Sequence, residues 1–309
     1  MTTAMVKHNN LVADLLADKR SDNTKRAYKN DLQDFFTTMT GKAISPDLVA
    51  WFLTQNRQQA IAMVLHYKAN LLGRGLKEAT VNRRLASIRS LVAYARKVGA
   101  CNWNLVDVQG EKVEVYRDTS GIPVEKVATM LDEPDRSTIK GKRDYAILRL
   151  LWDNALRRGE IVKTNVEDFD FQALTLLILS KGKGTQKDKI SLSSKTAQAI
   201  QAWLIARGET KPGDPLFIAL DKVHKGHRLT GEGVALLVKK TAKTTGITKK
   251  MSPHRMRHSA ITAALEATNG NVVMVQKLSR HAKVETLLIY EDQRTNQQKQ
   301  VTELLSSII

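Results

Sequence analysis

The apolar residues of this chain fall at helical spacing nearly everywhere, and one stretch, residues 169–192, breaks the pattern. There Phe169, Phe171, Leu174, Leu176, Leu177, Ile178 and Leu179 run as an extended segment, followed by Lys181-Gly-Lys-Gly-Thr-Gln-Lys-Asp-Lys, with alternation resuming at Ile190 and Leu192. Gly and polar residues between two apolar runs predict a β-hairpin with a basic tip. A chain built of helices plus one hairpin can form only a small sheet. The expected class is mainly α (α+β overall), with any sheet small and antiparallel.

The N-terminal hundred residues read as helices. Thr24 is the expected cap of one carrying Ala27, Tyr28, Leu32, Phe35 and Phe36, and Pro46 opens another with Val49, Phe52 and Leu53. Thr80 is the expected cap of a third, in which Val81, Leu85, Ile88, Val92 and Ala95 keep helical spacing up to a stop at Gly99. Its polar face carries Asn82, Arg83, Arg89 and Arg96, a row suited to phosphates or a DNA groove, although a solvated face has the same composition. The pattern lapses between Val106 and Gly121. Pro123 then suits the first turn of a helix with Val127, Met130 and Leu131, and an apolar helix is expected from Asp144 to Leu156. These breaks divide the chain into a helical domain over 10–107, a linker over 108–119 and a second domain over 120–309.

Charge narrows the partner. The formal net charge is +18, and both parts share it: residues 1–110 hold 16 Lys+Arg against 8 Asp+Glu, and residues 111–309 hold 33 against 23. Two basic folded units fit double-stranded DNA, whose counterions are released as phosphates are neutralised. No apolar run is long enough to span a membrane, and the N-terminus lacks the apolar stretch of a secretory signal. Cys101 is the only cysteine, which removes intrachain disulfides and cysteine-based zinc sites. A cytoplasmic, nucleoid-associated protein is expected.

Four segments of the second half hold the chemistry: Ala155-Leu-Arg-Arg-Gly-Glu160-Ile, the hairpin tip, Ser252-Pro-His-Arg-Met-Arg-His258, and His281 followed nine residues later by Tyr290. His254 and His258 stand one turn apart, but the Arg-Met-Arg between them disfavours a metal. Lys181-Gly-Lys-Gly-Thr lacks the spacing of a nucleotide-binding loop. Neither cofactor nor metal is expected.

In order and spacing, Arg157, Lys183, His254, Arg257, His281 and Tyr290 resemble the tyrosine recombinase (phage integrase) family. Leu156-Arg157-Arg158-Gly159-Glu160 is similar to its first arginine box, Gly182-Lys183-Gly184 to its hairpin lysine, and Ser252–Ser259 to its His-x-x-Arg box. Ser21–Tyr28 and Thr80–Arg84 look like parts of that family's helical core-binding (SAM-like) domain, so the resemblance spans nearly the whole chain from Ser21. It implies a site-specific recombinase that cuts and rejoins DNA through a 3′-phosphotyrosyl bond to Tyr290, without metal or ATP. Arg157 and Arg257 would grip the phosphate, His254 would act as general base and acid, Lys183 would protonate the departing 5′ oxygen, and His281 would hydrogen-bond the phosphate. Glu160 and His258 would orient and pack that set. Lys181 is the rival of Lys183.

The resemblance also implies two domains closing as a clamp on DNA, and a homo-tetramer on two duplexes. The terminal stripe Val301, Leu304, Leu305, Ile308 and Ile309 would dock on a neighbouring protomer or on its own domain. A type IB topoisomerase-like enzyme and a catalytically silent DNA-binding regulator are the alternatives. Three departures stand out: Arg280 precedes His281 where that family commonly has glycine, Ala155 replaces the glycine often found before Leu-Arg, and the hairpin carries Lys181, Lys183, Lys187 and Lys189.

Overall fold

A computed structural model describes residues 10–113, 121–180, 184–287 and 297–308. The chain forms two compact units, residues 1–116 and 117–309.

The first unit is helical: α1 (Leu11–Ala17), α2 (Asp22–Thr40), α3 (Pro46–Thr54), α4 (Arg57–Gly73) and α5 (Glu78–Lys97). The predicted caps at Thr24 and Thr80 are corrected. Ser21 caps α2, its hydroxyl accepting from the Thr24 amide at 3.4 Å, so Thr24 already lies in the first turn. In α5 the Thr80 amide donates to the Lys77 carbonyl at 2.8 Å, which moves the helix start upstream of the threonine. Gly99, with φ +76°, ends that helix region as expected. Helix α5 is the spine of the unit, burying Val81, Leu85, Ile88, Leu91, Val92 and Ala95. Phe35, Phe36, Phe52 and Tyr67 pack edge to face beside it, with centroids 5.0–5.9 Å apart.

The segment expected to begin a linker at residue 108 belongs instead to this unit. Trp103, Leu105 and Val108 are buried in its core. Asn82 fixes Glu111 through two hydrogen bonds, Nδ2 to the carbonyl at 2.9 Å and the Glu111 amide to Oδ1 at 2.7 Å. Gly110 lies so close that a Cβ there would fall 2.4 Å from Asn82 Oδ1. A short apolar alternation reads as a linker because its partners lie on helices far away in sequence.

The second unit opens with α6 (Val124–Asp132), preceded by Pro123, then α7 (Ile139–Asp153) and α8 (Arg158–Val162). Helix α7 starts earlier than expected because Thr138 caps it, accepting from the Gly141 amide at 3.0 Å. It ends at Asp153 and not Leu156, because Ala155 takes a left-handed φ of +46°. The sheet has three antiparallel strands in the order β1 (Phe169–Asp170), β2 (Thr175–Ile178), β3 (Asp188–Ser191). The predicted extended run is therefore interrupted: the Ala173 amide donates to Asp170 Oδ1 at 2.9 Å in a turn that ends on Leu174 at φ +50°. Register pairs Leu176 with Ile190 and Ile178 with Asp188. Helices α9 (Ser194–Arg207), α10 (Gly231–Thr244), α11 (Pro253–Ala267), α12 (Val272–Ser279) and α13 (Gln297–Ser306) follow.

Helix α7 packs most extensively on α9, around Ile147, Leu151, Ile200 and Trp203. A smaller core joins Ala155 to Ala260, Ile261 and Leu265 of α11, Val275 of α12, and Leu287. This second core seats three segments bearing candidate residues on one another. Among the described residues, no helix is long and apolar enough to cross a membrane.

Candidate active site

The site begins where α7 stops. Leu156 is fully buried, and Arg157 precedes the short helix α8. Three residues on, Glu160 turns back on it: Oε2 accepts from the Arg157 amide at 2.9 Å, and Oε1 from Arg157 Nη1 at 2.7 Å. The glutamate is 2 % exposed, whereas the Arg157 side chain keeps 28 % of its surface in solvent. The carboxylate thus holds one edge of the guanidinium and leaves another toward a ligand.

Helix α11 supplies the next group. Ser252 caps it, Pro253 occupies its first turn, and His254 is exposed at its start. One turn later, Arg257 is 1 % exposed. Its Nη1 donates to the Ala155 carbonyl and its Nη2 to the Ser279 carbonyl, so it joins the ends of α7 and α12. Arg257 Nη2 also lies 3.4 Å from His281 Nε2. Because a guanidinium only donates, His281 faces it with a lone pair, as a neutral ring does. His258 packs edge to face on His254, with centroids 4.1 Å apart.

Helix α12 ends on Arg280, whose φ of +55° and ψ of 40° are left-handed. Its guanidinium turns into the site: Nη1 donates to the Leu278 carbonyl at 2.5 Å, and Nη2 lies 3.4 Å from the Ala155 carbonyl and 3.2 Å from Glu160 Oε2. Both nitrogens lie 3.3 Å from the Asn154 carbonyl. The extra cation noted in the sequence therefore lies beside the site.

Arg157, Glu160, Arg257, Arg280 and His281 form one connected network; among the described residues, Glu160 is the carboxylate hydrogen-bonded to its guanidinium groups, and Asp188 adds a more distant negative charge near Arg280. The histidines register this charge. Burial is the largest cause lowering the His281 pKa to about 4, followed by Arg257, Arg157, Arg280 and His254. Burial likewise leads for His258, aided by His254, Arg257, Arg255 and His281, at about 3. Both rings are neutral near pH 7. Such a cluster of buried donors and net positive charge suits a dianionic or developing oxyanion centre.

Lys181, Lys183 and Tyr290 lie outside the described residues. The supports of the hairpin are visible. Asn154 Nδ2 donates to the Ser191 carbonyl at 2.8 Å, tying β3 to the end of α7, and Lys187 pairs with buried Asp168 at 2.5 Å. Lys189 is exposed on β3. Leu287, three residues before Tyr290, is fully buried in the smaller core.

The arginine face of α5 has a mixed character. Asn82 holds Glu111, and Arg89 donates to the Val108 carbonyl, so both pack the end of the first unit. Arg83 pairs with buried Asp31 but remains 44 % exposed, and Arg96 is exposed. Arg84, not singled out from the sequence, pairs with Asp34, which also accepts from Tyr67 at 2.6 Å. In the second unit the sequence reading missed the buried Asn154 and Ser279. Each meets an arginine through its backbone carbonyl, a contact that leaves no signature in residue type, although Asn154 also uses its side chain to hold β3.

Family comparison agrees with the two units. The phage integrase family matches residues 122–297, and its N-terminal SAM-like domain matches residues 9–99. A tyrosine recombinase of Synechocystis sp. is 51 % identical over 98 % of this chain and 96 % of its own, and one of Synechococcus elongatus is 49 % identical over 96 % and 92 %. The XerH site-specific recombinase bound to a palindromic difH substrate superposes with a TM-score of 0.67 at 18 % identity, covering 99 % of this chain and 92 % of that one. The chain belongs to the phage integrase family of tyrosine recombinases, enzymes of site-specific DNA recombination.

Proposed function

We propose that the second unit performs metal-free and ATP-free transesterification at a DNA phosphodiester, exchanging strands between two specific sites. The observation that carries this reading is the electropositive network in which Arg157 and Arg280 share the buried Glu160 carboxylate and Arg257 lies against His281. Arg157 and Arg257 hold the non-bridging oxygens, a task suited to a planar fork of donors. His281 completes the phosphate contacts, while Glu160 and His258 orient and pack the set.

The phenolic oxygen of Tyr290 attacks phosphorus as its proton passes to His254, which is exposed at the start of α11. The bond to the 5′ oxygen breaks, and that oxygen takes a proton from Lys183. The product is a 3′-phosphotyrosyl ester with a free 5′ hydroxyl. Attack by a partner 5′ hydroxyl reverses each transfer, so the ester energy is retained.

Double-stranded DNA bearing a recombination site is the partner, with Arg83 and Arg96 as exposed candidates for phosphate contact on α5. Assembly is a homo-tetramer on two duplexes, in the cytoplasm on the nucleoid. Helix α13 favours exchange between protomers, since Leu304, Leu305 and Ile308 are 64 %, 59 % and 78 % exposed and such a stripe needs cover. The decisive experiment is an SDS-stopped reaction on supercoiled DNA carrying the sequence that flanks the gene, without divalent metal. A protease-sensitive adduct from the wild type and none from Tyr290→Phe is the expected result. An adduct that persists in Tyr290→Phe overturns the assignment. Deleting residues 296–309 should abolish assembly on DNA while leaving the monomer folded.

A further inference from the structure

We infer that Arg280 is a positioning residue of the phosphate pocket, a third guanidinium that holds Glu160 and the Ala155 carbonyl in register with Arg157 and Arg257. The inference rests on the reading that Arg157, Arg257 and His281 hold the scissile phosphate.

Three observations meet at this residue. First, its backbone is left-handed, φ +55°, a conformation in which every side chain but glycine is strained. An arginine there requires an offsetting set of contacts, and the structure supplies one through Glu160 and the carbonyls of Asn154, Ala155 and Leu278. Second, two of these partners are shared with the pocket. Glu160 also binds Arg157, and the Ala155 carbonyl also accepts from Arg257. Arg280 therefore touches, through one intermediary each, both arginines assigned to the phosphate.

Third, the charge changes sides. Glu160 Oε2 divides itself between the Arg157 amide and Arg280 Nη2. Without Arg280 the carboxylate's hydrogen bonds would go to Arg157, and the cluster would lose one positive charge. His281 senses the same field: it faces Arg257 and His254 from α11, Arg157 from the turn after α7, and Arg280 from its own turn. Arg280 helps keep that ring neutral, with its lone pair on Arg257, until an anion enters.

The test uses the full chain with isotope-labelled histidine, as wild type, Arg280→Gly and Arg280→Lys. His281 is titrated by NMR, and Tyr290-dependent adduct formation is timed at saturating DNA and near-neutral pH. In Arg280→Gly, which accepts the left-handed backbone, His281 should titrate at higher pH than in the wild type. Cleavage should slow by at least about tenfold in kcat, less than the roughly 10²–10³ lost with a donor that touches the oxyanion itself. Arg280→Lys should restore the His281 titration toward wild type yet leave cleavage slow, because an ammonium cannot span Glu160 and the carbonyls. An unchanged His281 titration together with cleavage within about twofold of wild type in Arg280→Gly overturns the inference. Should that variant not fold, Arg280→Lys cleaving at the wild-type rate overturns it equally. If the wild type itself forms no Tyr290-dependent adduct, the phosphate reading fails instead, and the titration still decides whether Arg280 sets the field at His281.

Discussion

Replacing Glu160 by glutamine removes one charge and one acceptor oxygen with almost no change in volume, so its cost reports on the charge and the hydrogen bonds it anchors, not on packing. Glu160 is 2 % exposed and meets Arg157 through Oε1 and Arg280 through Oε2; the Arg280 side chain is 13 % exposed. Breaking a buried pair by removing one partner typically costs about 3–5 kcal/mol, because the remaining charge stays buried. Arg157 retains solvent contact and the amide keeps one acceptor oxygen, which places the expectation at the low end, about 3 kcal/mol. For a unit of this size that corresponds to a fall in Tm of about 6–12 °C.

A rescue by an anion is expected as well. With Glu160 neutral, the guanidinium groups lose their hydrogen-bonded carboxylate, so inorganic phosphate should bind more tightly than to the wild type. At a concentration of about one hundred times Kd it adds about 2.7 kcal/mol of stability. Thermal melts with and without phosphate measure both effects. A variant melting within about 2 °C of wild type, or phosphate raising both proteins equally, would show that Glu160 is not the counter-charge of the pocket.

Other expectations follow from individual contacts. Arg257→Lys cannot reach both the Ala155 and Ser279 carbonyls, and adduct formation should fall by about 10²–10³; a loss under tenfold would argue that the carbonyl contacts do not set its geometry. The depressed pKa values of His258 and His281 make folding acid-sensitive. The unfolded chain takes up these protons below pH about 6.5, so their stability contribution is full above that pH. It declines as pH falls toward about 4 for His281 and about 3 for His258. Urea melts should show lower stability at pH ~5 than at pH ~7.5, with a smaller difference in His258→Asn. Asn82→Ala should cost about 1–2 kcal/mol and raise hydrogen exchange at Val108–Glu111; unchanged exchange there would return Asn82 to the list of DNA contacts.

Much of this molecule is legible in its sequence, for identifiable reasons. Helices with apolar stripes, such as α5, declare themselves because burial follows a period of 3.6. The hairpin declares itself through Gly and Lys between β-type runs. Arg157 with Glu160 and His254 with Arg257 are readable because each pair lies within one helical turn. Termini are less so: Thr24 and Thr80 are good caps by type, yet Ser21 caps α2 and α5 starts after Lys77 with no side-chain cap. Residues 108–111 are obscure for a different reason, since Asn82, Arg89 and the core that receive them lie remote in sequence. Arg280 is conspicuous in the sequence as a misfit. Only the fold reveals that its side chain returns to Glu160 across 120 residues.

The left-handed turn at Ala155 has one more consequence. A single carbonyl oxygen receives Arg257 from one helix and Arg280 from the end of another, so one peptide plane serves as the common ruler for two cations. A rotation of that plane displaces both together. Errors in their placement are then correlated, and substitutions at the two arginines should combine non-additively in a double-mutant cycle. A designer moving this pocket onto another scaffold would have to carry the turn across before any of the side chains.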